Sequence, residues 1–180
     1  MYAGKPISTP LWPAVPAIMP GEAFGSWFGR IAARYRIDVD ELARAAHIEL
    51  DLGPQACRWL VTPAPQGQSA VRLARLSGVP IHDFEDLGRG CATKRFRYCF
   101  KCLVLNPRDV FAPYWSKQWL RADWQTCERH PQDNDALSEQ GLEGHKNMYK
   151  LLKLVGRRRR LREERMGTKM WPMPRASRVR

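Results

Sequence analysis

Four side chains between Tyr98 and His130 have the types and spacing to do chemistry together. Cys99 and Cys102 form a C-x-x-C knuckle, Cys127 and His130 form a C-x-x-H knuckle, and 24 residues separate the pairs. A two-residue gap lets backbone amides curl toward both side chains of a knuckle, so two knuckles can present four ligands at the corners of a tetrahedron. Three thiolates and one imidazole suit a single closed structural Zn²⁺ site, which leaves no open position for water and hence no hydrolytic chemistry. The spacer exceeds the usual finger and ribbon spacings, and the alternatives are unpaired thiols or a redox C-x-x-C. Against redox chemistry, no βαβ pattern surrounds the first knuckle and a second knuckle lies downstream. No nucleophile–base–orienter trio forms around His130 or His82, so no enzyme is expected.

The elements that must hold these ligands are short. Residues 111–124 (FAPYWSKQWLRADW) carry five aromatics. Trp115, Trp119 and Trp124 are expected to pack around the knuckles, because so small a module has little other core; base stacking is the rival reading. Arg95, Arg97 and Lys101 flank the first knuckle, where they can touch phosphates or simply face water. Cys57 reads as a buried small residue and Cys91 as a spare thiol.

Upstream the chain reads as helical. Residues 1–20 form a Pro-rich extended arm, with Leu11, Trp12, Val15 and Ile18 available to dock on a neighbouring surface. Over 21–36, Phe24, Trp27, Phe28, Ile31, Ala32 and Tyr35 fall on one helical stripe. Glu22 sits where a helix dipole favours a carboxylate. Asp38 caps a second helix over 39–46, and a third is expected over about 52–60, so a helix-turn-helix results. After a Pro/Gly-rich connection at 62–68, two further helices are expected over 70–76 and 81–87.

The formal charge of +12 is unevenly placed. Residues 145–180 carry 13 Lys or Arg against two Glu, a net of +11, and the preceding 144 residues are nearly neutral. Residues 131–144 read as a polar loop, and 148–166 as a basic helix interrupted at Gly156. Arg157, Arg158, Arg159 and Arg160 have the footprint of a polyanion contact, which reads no base sequence by itself. No run of 18 apolar residues occurs, which excludes a membrane-spanning helix. An odd cysteine count with four potential ligands fits a reducing cytoplasm better than a disulfide framework. The expected organisation is therefore mainly α: an arm over 1–20, a helix-turn-helix domain over 21–90, a zinc module over 91–131, and a polar loop with a basic tail, disordered in part, over 132–180.

Two stretches together resemble the TniQ family, the TnsD-related target-selection proteins of bacterial transposons. PGEAFGSWFGRIAARYRIDVDELARAAHI (20–48) is similar to the family's opening P-G-E-S…S-W-L helix and the helix-turn-helix behind it. RYCFKCL…YWSKQWLRADWQTCERH (97–130) is similar to its R-Y-C-P-x-C-L…C-x-x-H zinc motif, with Phe100 where Pro is usual. Family members usually continue into a second set of cysteines, and none follows His130 here, so a short or truncated member is expected. The resemblance implies ligands Cys99, Cys102, Cys127 and His130, and a non-catalytic adaptor in the bacterial cytoplasm. It implies DNA as a partner, together with an AAA+ ATPase of the TnsC or TniB kind, and a CRISPR effector or a second copy in some systems. It also places DNA contacts near Gln55 and Arg58, at Arg95 and Arg97, and in the tail. A zinc-containing helix-turn-helix transcription regulator is the alternative, and an adaptor with no DNA contact a further one.

Overall fold

A computed structural model describes residues 11–50, 58–85, 87, 95–104 and 113–167. The apolar stripe near the N-terminus becomes α1 (Phe24–Tyr35), whose Phe24, Trp27, Phe28, Ile31 and Ala32 are buried at 0–1 % exposure. Gly25 and Gly29 lie one turn apart on this helix. Without side chains they admit a 3₁₀ turn, Arg58–Leu60, whose Trp59 ring and carbonyl would collide with any Cβ at either glycine. Arg36 then takes a left-handed conformation (φ 59°) and its amide closes the helix on Ala32 and Ala33.

The short helix α2 (Val39–Ala45) starts with a capping box: Glu41 reaches back to the Asp38 amide at 2.8 Å, and Asp38 faces the N3 backbone. The third helix expected over 52–60 is described only at its end, in the Arg58–Leu60 turn; Gln55 and Cys57 lie outside the described residues, as does Cys91. Helix α3 (Gly67–Ser77) begins three residues before the expected 70–76, and buries Ala70, Leu73 and Leu76. In α4 (Ile81–Glu85), Phe84 meets Trp27 at 5.6 Å between ring centroids.

Strand β1 (Arg95–Cys99) runs directly into α5 (Phe100–Val104), and β2 (Asn134–Ser138) pairs with β1 antiparallel, with Cys99 opposite Asn134 and Arg95 opposite Ser138. This corrects the polar loop expected over 131–144: that stretch holds a 3₁₀ turn (Pro131–Asp133), β2, and α6 (Glu139–Leu142). The last helix, α7 (Met148–Arg165), corrects the tail on two counts. It runs through Gly156 without a break, and it packs against α1 with Met148, Leu151, Val155 and Gly156 buried. Its start is stitched to the α1–α2 turn: Asn147 Nδ2 donates to the Ile37 carbonyl at 2.8 Å, the Val39 amide to Lys146 O at 2.9 Å, and Lys150 pairs with Asp38 at 2.6 Å.

One buried cluster runs through α1, α2, the Trp59 turn, α3, β1, the Trp115 segment and α7. The arm lies on it as expected for Trp12, Val15 and Ile18, which pack against the cluster; Leu11 stays 62 % exposed. The fold is mainly helical, with the two-stranded sheet confined to the segment that carries the cysteines.

Candidate metal centre

Strand β1 delivers Cys99 as its last residue. The chain turns at once into α5, which brings Cys102 back beside it. Cys127 ends an irregular stretch after Trp124, and His130 stands just before the Pro131 turn. The three sulfurs and one imidazole nitrogen all lie within 4.8 Å of one another. Cys102 Sγ is 3.6 Å from Cys127 Sγ, and His130 Nδ1 is 3.6, 3.3 and 3.8 Å from the sulfurs of Cys99, Cys102 and Cys127. A tetrahedral centre with metal–sulfur bonds of about 2.3 Å and metal–nitrogen bonds of about 2.0–2.1 Å needs edges of about 3.8 Å between sulfurs and about 3.6 Å from sulfur to nitrogen. These four edges agree with those values to within about 0.3 Å, and the four residues could hold one metal ion.

The electrostatics agree. Burial, then the neighbouring Cys127 and Cys99, push the Cys102 thiol up to about 12. Burial also raises Cys99. Burial raises Cys127 too, but the His130 and Arg129 amides and the Cys102 thiol outweigh it and leave the group lowered. Three thiols packed this closely do not all ionise on their own; a metal cation at their centre would supply the missing counter-charge.

Behind the ligands is a supporting ring that residue types alone did not announce. The Cys127 amide donates to Asn134 Oδ1 at 3.0 Å, and Asn134 Nδ2 donates to Pro131 O at 2.6 Å, which fixes the second knuckle to β2. Asp133 is 7 % exposed and takes Lys101 at 3.0 Å and Arg159 at 3.3 Å. The Arg159 guanidinium also lies 5.1 Å from the Phe100 ring centroid. Arg162 approaches Asp135 at 3.8 Å, and Arg158 donates to the Ala136 carbonyl at 3.2 Å. The arginine run of α7 thus clasps the metal segment through half of its members. Trp115 and Trp119 are core, as expected: Tyr98, Trp115 and Trp119 form a chain with centroids 5.3 and 5.4 Å apart, continued at 6.2 Å by the half-buried Trp124.

A second polar centre lies at the start of α1. Glu22 is fully buried and precedes the helix, so it is no first-turn dipole residue. Its carboxylate accepts from Arg30 Nε at 2.9 Å and Nη2 at 2.5 Å, from Ser26 Oγ at 2.8 Å, and from the Met19 amide at 3.1 Å. Burial pushes the Glu22 carboxyl up, and the Arg30 fork opposes that shift. Ser26 Oγ accepts in turn from the Trp115 amide at 2.8 Å, while Arg30 Nη2 and Trp27 Nε1 hold the arm carbonyls of Ala17 and Pro16. The i, i+4, i+8 spacing of Glu22, Ser26 and Arg30 beside an apolar stripe was the available signal. One network ties arm, α1 and metal segment together.

The TniQ family model matches residues 13–133. The chain belongs to the TniQ family. The TniQ match encloses the arm from Pro13 onward, the Glu22–Arg30 network and all four candidate ligands. It stops just before β2 and α7, although both complete the same core. No curated protein and no solved structure matches the chain.

The residues expected to meet DNA differ in what they already hold, and Gln55 lies outside the described residues. Arg97 donates to the Trp124 carbonyl at 3.1 Å and to Gln125 at 2.5 Å, and Lys101 and Arg159 hold Asp133, so these three serve the metal segment. Arg58 is half-buried and Arg95 exposed. On α7, Arg157 and Arg160 are exposed and share a face with Lys153, which lies 4.4 Å from the Tyr149 ring centroid.

Proposed function

We propose that this TniQ-family chain is a non-catalytic accessory factor in DNA transposition, carrying one structural Zn²⁺ on Cys99, Cys102, Cys127 and His130. It acts in the bacterial cytoplasm as an adaptor between target DNA, or a complex already on that DNA, and an AAA+ ATPase of the TnsC or TniB kind. The observation that carries this is the closed four-residue ligand set inside the TniQ match. Zinc would fasten β1, α5 and the second knuckle into one rigid surface, and three thiolates with one imidazole leave no position for a reacting water. DNA affinity would come from the exposed face of Lys153, Arg157 and Arg160, spaced i, i+4, i+7 along α7.

Two measurements on the zinc-loaded full chain test the proposal. Capture of an AAA+ transposition ATPase from the same genome is expected, and its failure would remove the adaptor role. Binding to duplex DNA is expected to fall linearly in log K against log salt. The triple variant K153Q/R157Q/R160Q should flatten that slope by about 2.7, at about 0.9 per lost phosphate contact. An unchanged slope would remove these residues from the interface. Sequence-specific binding without ATPase capture would favour the transcription regulator.

A further inference from the structure

Resting on the reading that this chain acts on DNA, we propose that the exposed face of α3 reads base pairs in the major groove of duplex DNA. Gln68, Val71, Arg72 and Arg75 recur at i, i+3, i+4 and i+7, and all four are exposed, Val71 at 55 %. The opposite face, Ala70, Leu73 and Leu76, anchors the helix in the core. The same four residues, with Leu76, line a surface hollow of about 260 Å³. The side chains of Gln68, Arg72 and Arg75 have no hydrogen-bonding or ionic partner among the described residues. Arg30, Arg97 and Arg159, by contrast, are each spent on internal partners. The helix carries two arginines and no acidic residue, so its face complements a polyanion.

The residue types then choose among polyanion contacts. An arginine fork presents two parallel donors to the O6 and N7 acceptors of guanine. A glutamine amide pairs with N6 and N7 of adenine, and a valine methyl meets the thymine methyl. Eleven residues make a rod of about 16 Å, long enough to lay two turns of side chains along a groove about 12 Å wide. A protein-docking face would need a broad apolar centre, and of the five residues that line the hollow Val71 is the one exposed apolar side chain. The α7 face differs in kind: Lys153, Arg157 and Arg160 offer charge without an amide or a methyl beside it. The two helices divide the work, α7 supplying affinity and α3 discrimination.

The test is selection from a pool of random-sequence duplexes by the zinc-loaded full chain, wild type beside R72K/R75K. Lysine keeps both charges and loses the fork. The wild type should enrich a short motif. The double variant should unfold at the same temperature, bind the unselected pool within about twofold, and lose about tenfold or more in preference for the motif. An absence of any enriched motif in the wild type, or the same motif enriched equally by the variant, would overturn the proposal. ATPase capture by the same wild-type protein keeps the two readings apart: capture without a motif overturns the α3 assignment and leaves the adaptor standing, and loss of both removes both.

Discussion

Replacing Glu22 by Gln is the sharpest probe of the buried network at the start of α1. The change removes one charge and keeps the shape. All four groups around the carboxylate are donors: two Arg30 N–H groups, the Ser26 hydroxyl and the Met19 amide. The new amide NH₂ would have to point at one of them, and the Arg30 guanidinium, with its side chain 8 % exposed, would be left without a counter-ion. Removing one member of a buried ion pair costs about 3–5 kcal/mol. For a chain of this size that corresponds to a fall of about 6–20 °C in unfolding temperature. Urea unfolding followed by tryptophan fluorescence, with zinc in excess, gives the loss directly as a lower midpoint at unchanged slope. The pair E22Q/R30M should be less damaged than E22Q alone, because the stranded guanidinium is gone while Gln can still accept from Ser26 and Met19. A loss below about 1 kcal/mol for E22Q would mean that the carboxyl is already neutral in the fold, and the ion-pair account would be wrong.

Four further outcomes are expected. Metal analysis of purified protein should find one zinc per chain, and Cys102→Ser should lose it together with most of the stability. Structural zinc contributes about 10–16 kcal/mol in small fingers, comparable to the whole stability of a domain. Because the ligands bind zinc deprotonated, metal retention should fall as pH falls, read by release to a chromogenic chelator. Gly25→Ala should destabilise by about 3 kcal/mol or more, since its Cβ meets the immovable Trp59 and Leu60 backbone, whereas Gly29→Ala meets only the Trp59 ring and should cost about 1–3 kcal/mol, both read by urea unfolding. Arg159→Ala should cost about 1–3 kcal/mol, leave Asp133 with Lys101 alone, and speed amide exchange in β2 more than in α1.

Much of this structure could be read from residue spacing, and the failures have physical causes. The α1 stripe, the Asp38 cap and the two knuckles are local patterns, and local patterns survive in a linear sequence. Strand β2 is not local. Asn134, Asp135 and Ala136 have poor strand propensity, and they are extended because β1 lies opposite, with Leu137 buried against the core. The helix over 148–166 was legible, but the buried face of α7 was obscured by its own charge. Averaging over four arginines hides Met148, Leu151 and Val155, and long arginine stems cover apolar ground while their heads find partners. Glu22 was misplaced for a related reason: a carboxylate near a helix start reads as a dipole partner until Arg30, eight residues on, is seen to reach it.

The packing of α7 on α1 also bears on how the protein comes into being. The ribosome releases Trp27 and Ile31 more than a hundred residues before Leu151 and Val155, the side chains of the helix that packs against α1. During that interval α1 lacks one of its packing partners, although Trp12 and Phe84 are already there to meet Phe28 and Trp27, and the cysteines are open to oxidation or to competing metals. Synthesis therefore imposes a waiting period that refolding of the finished chain never experiences, and a holding chaperone or an early-bound zinc ion would matter most within it.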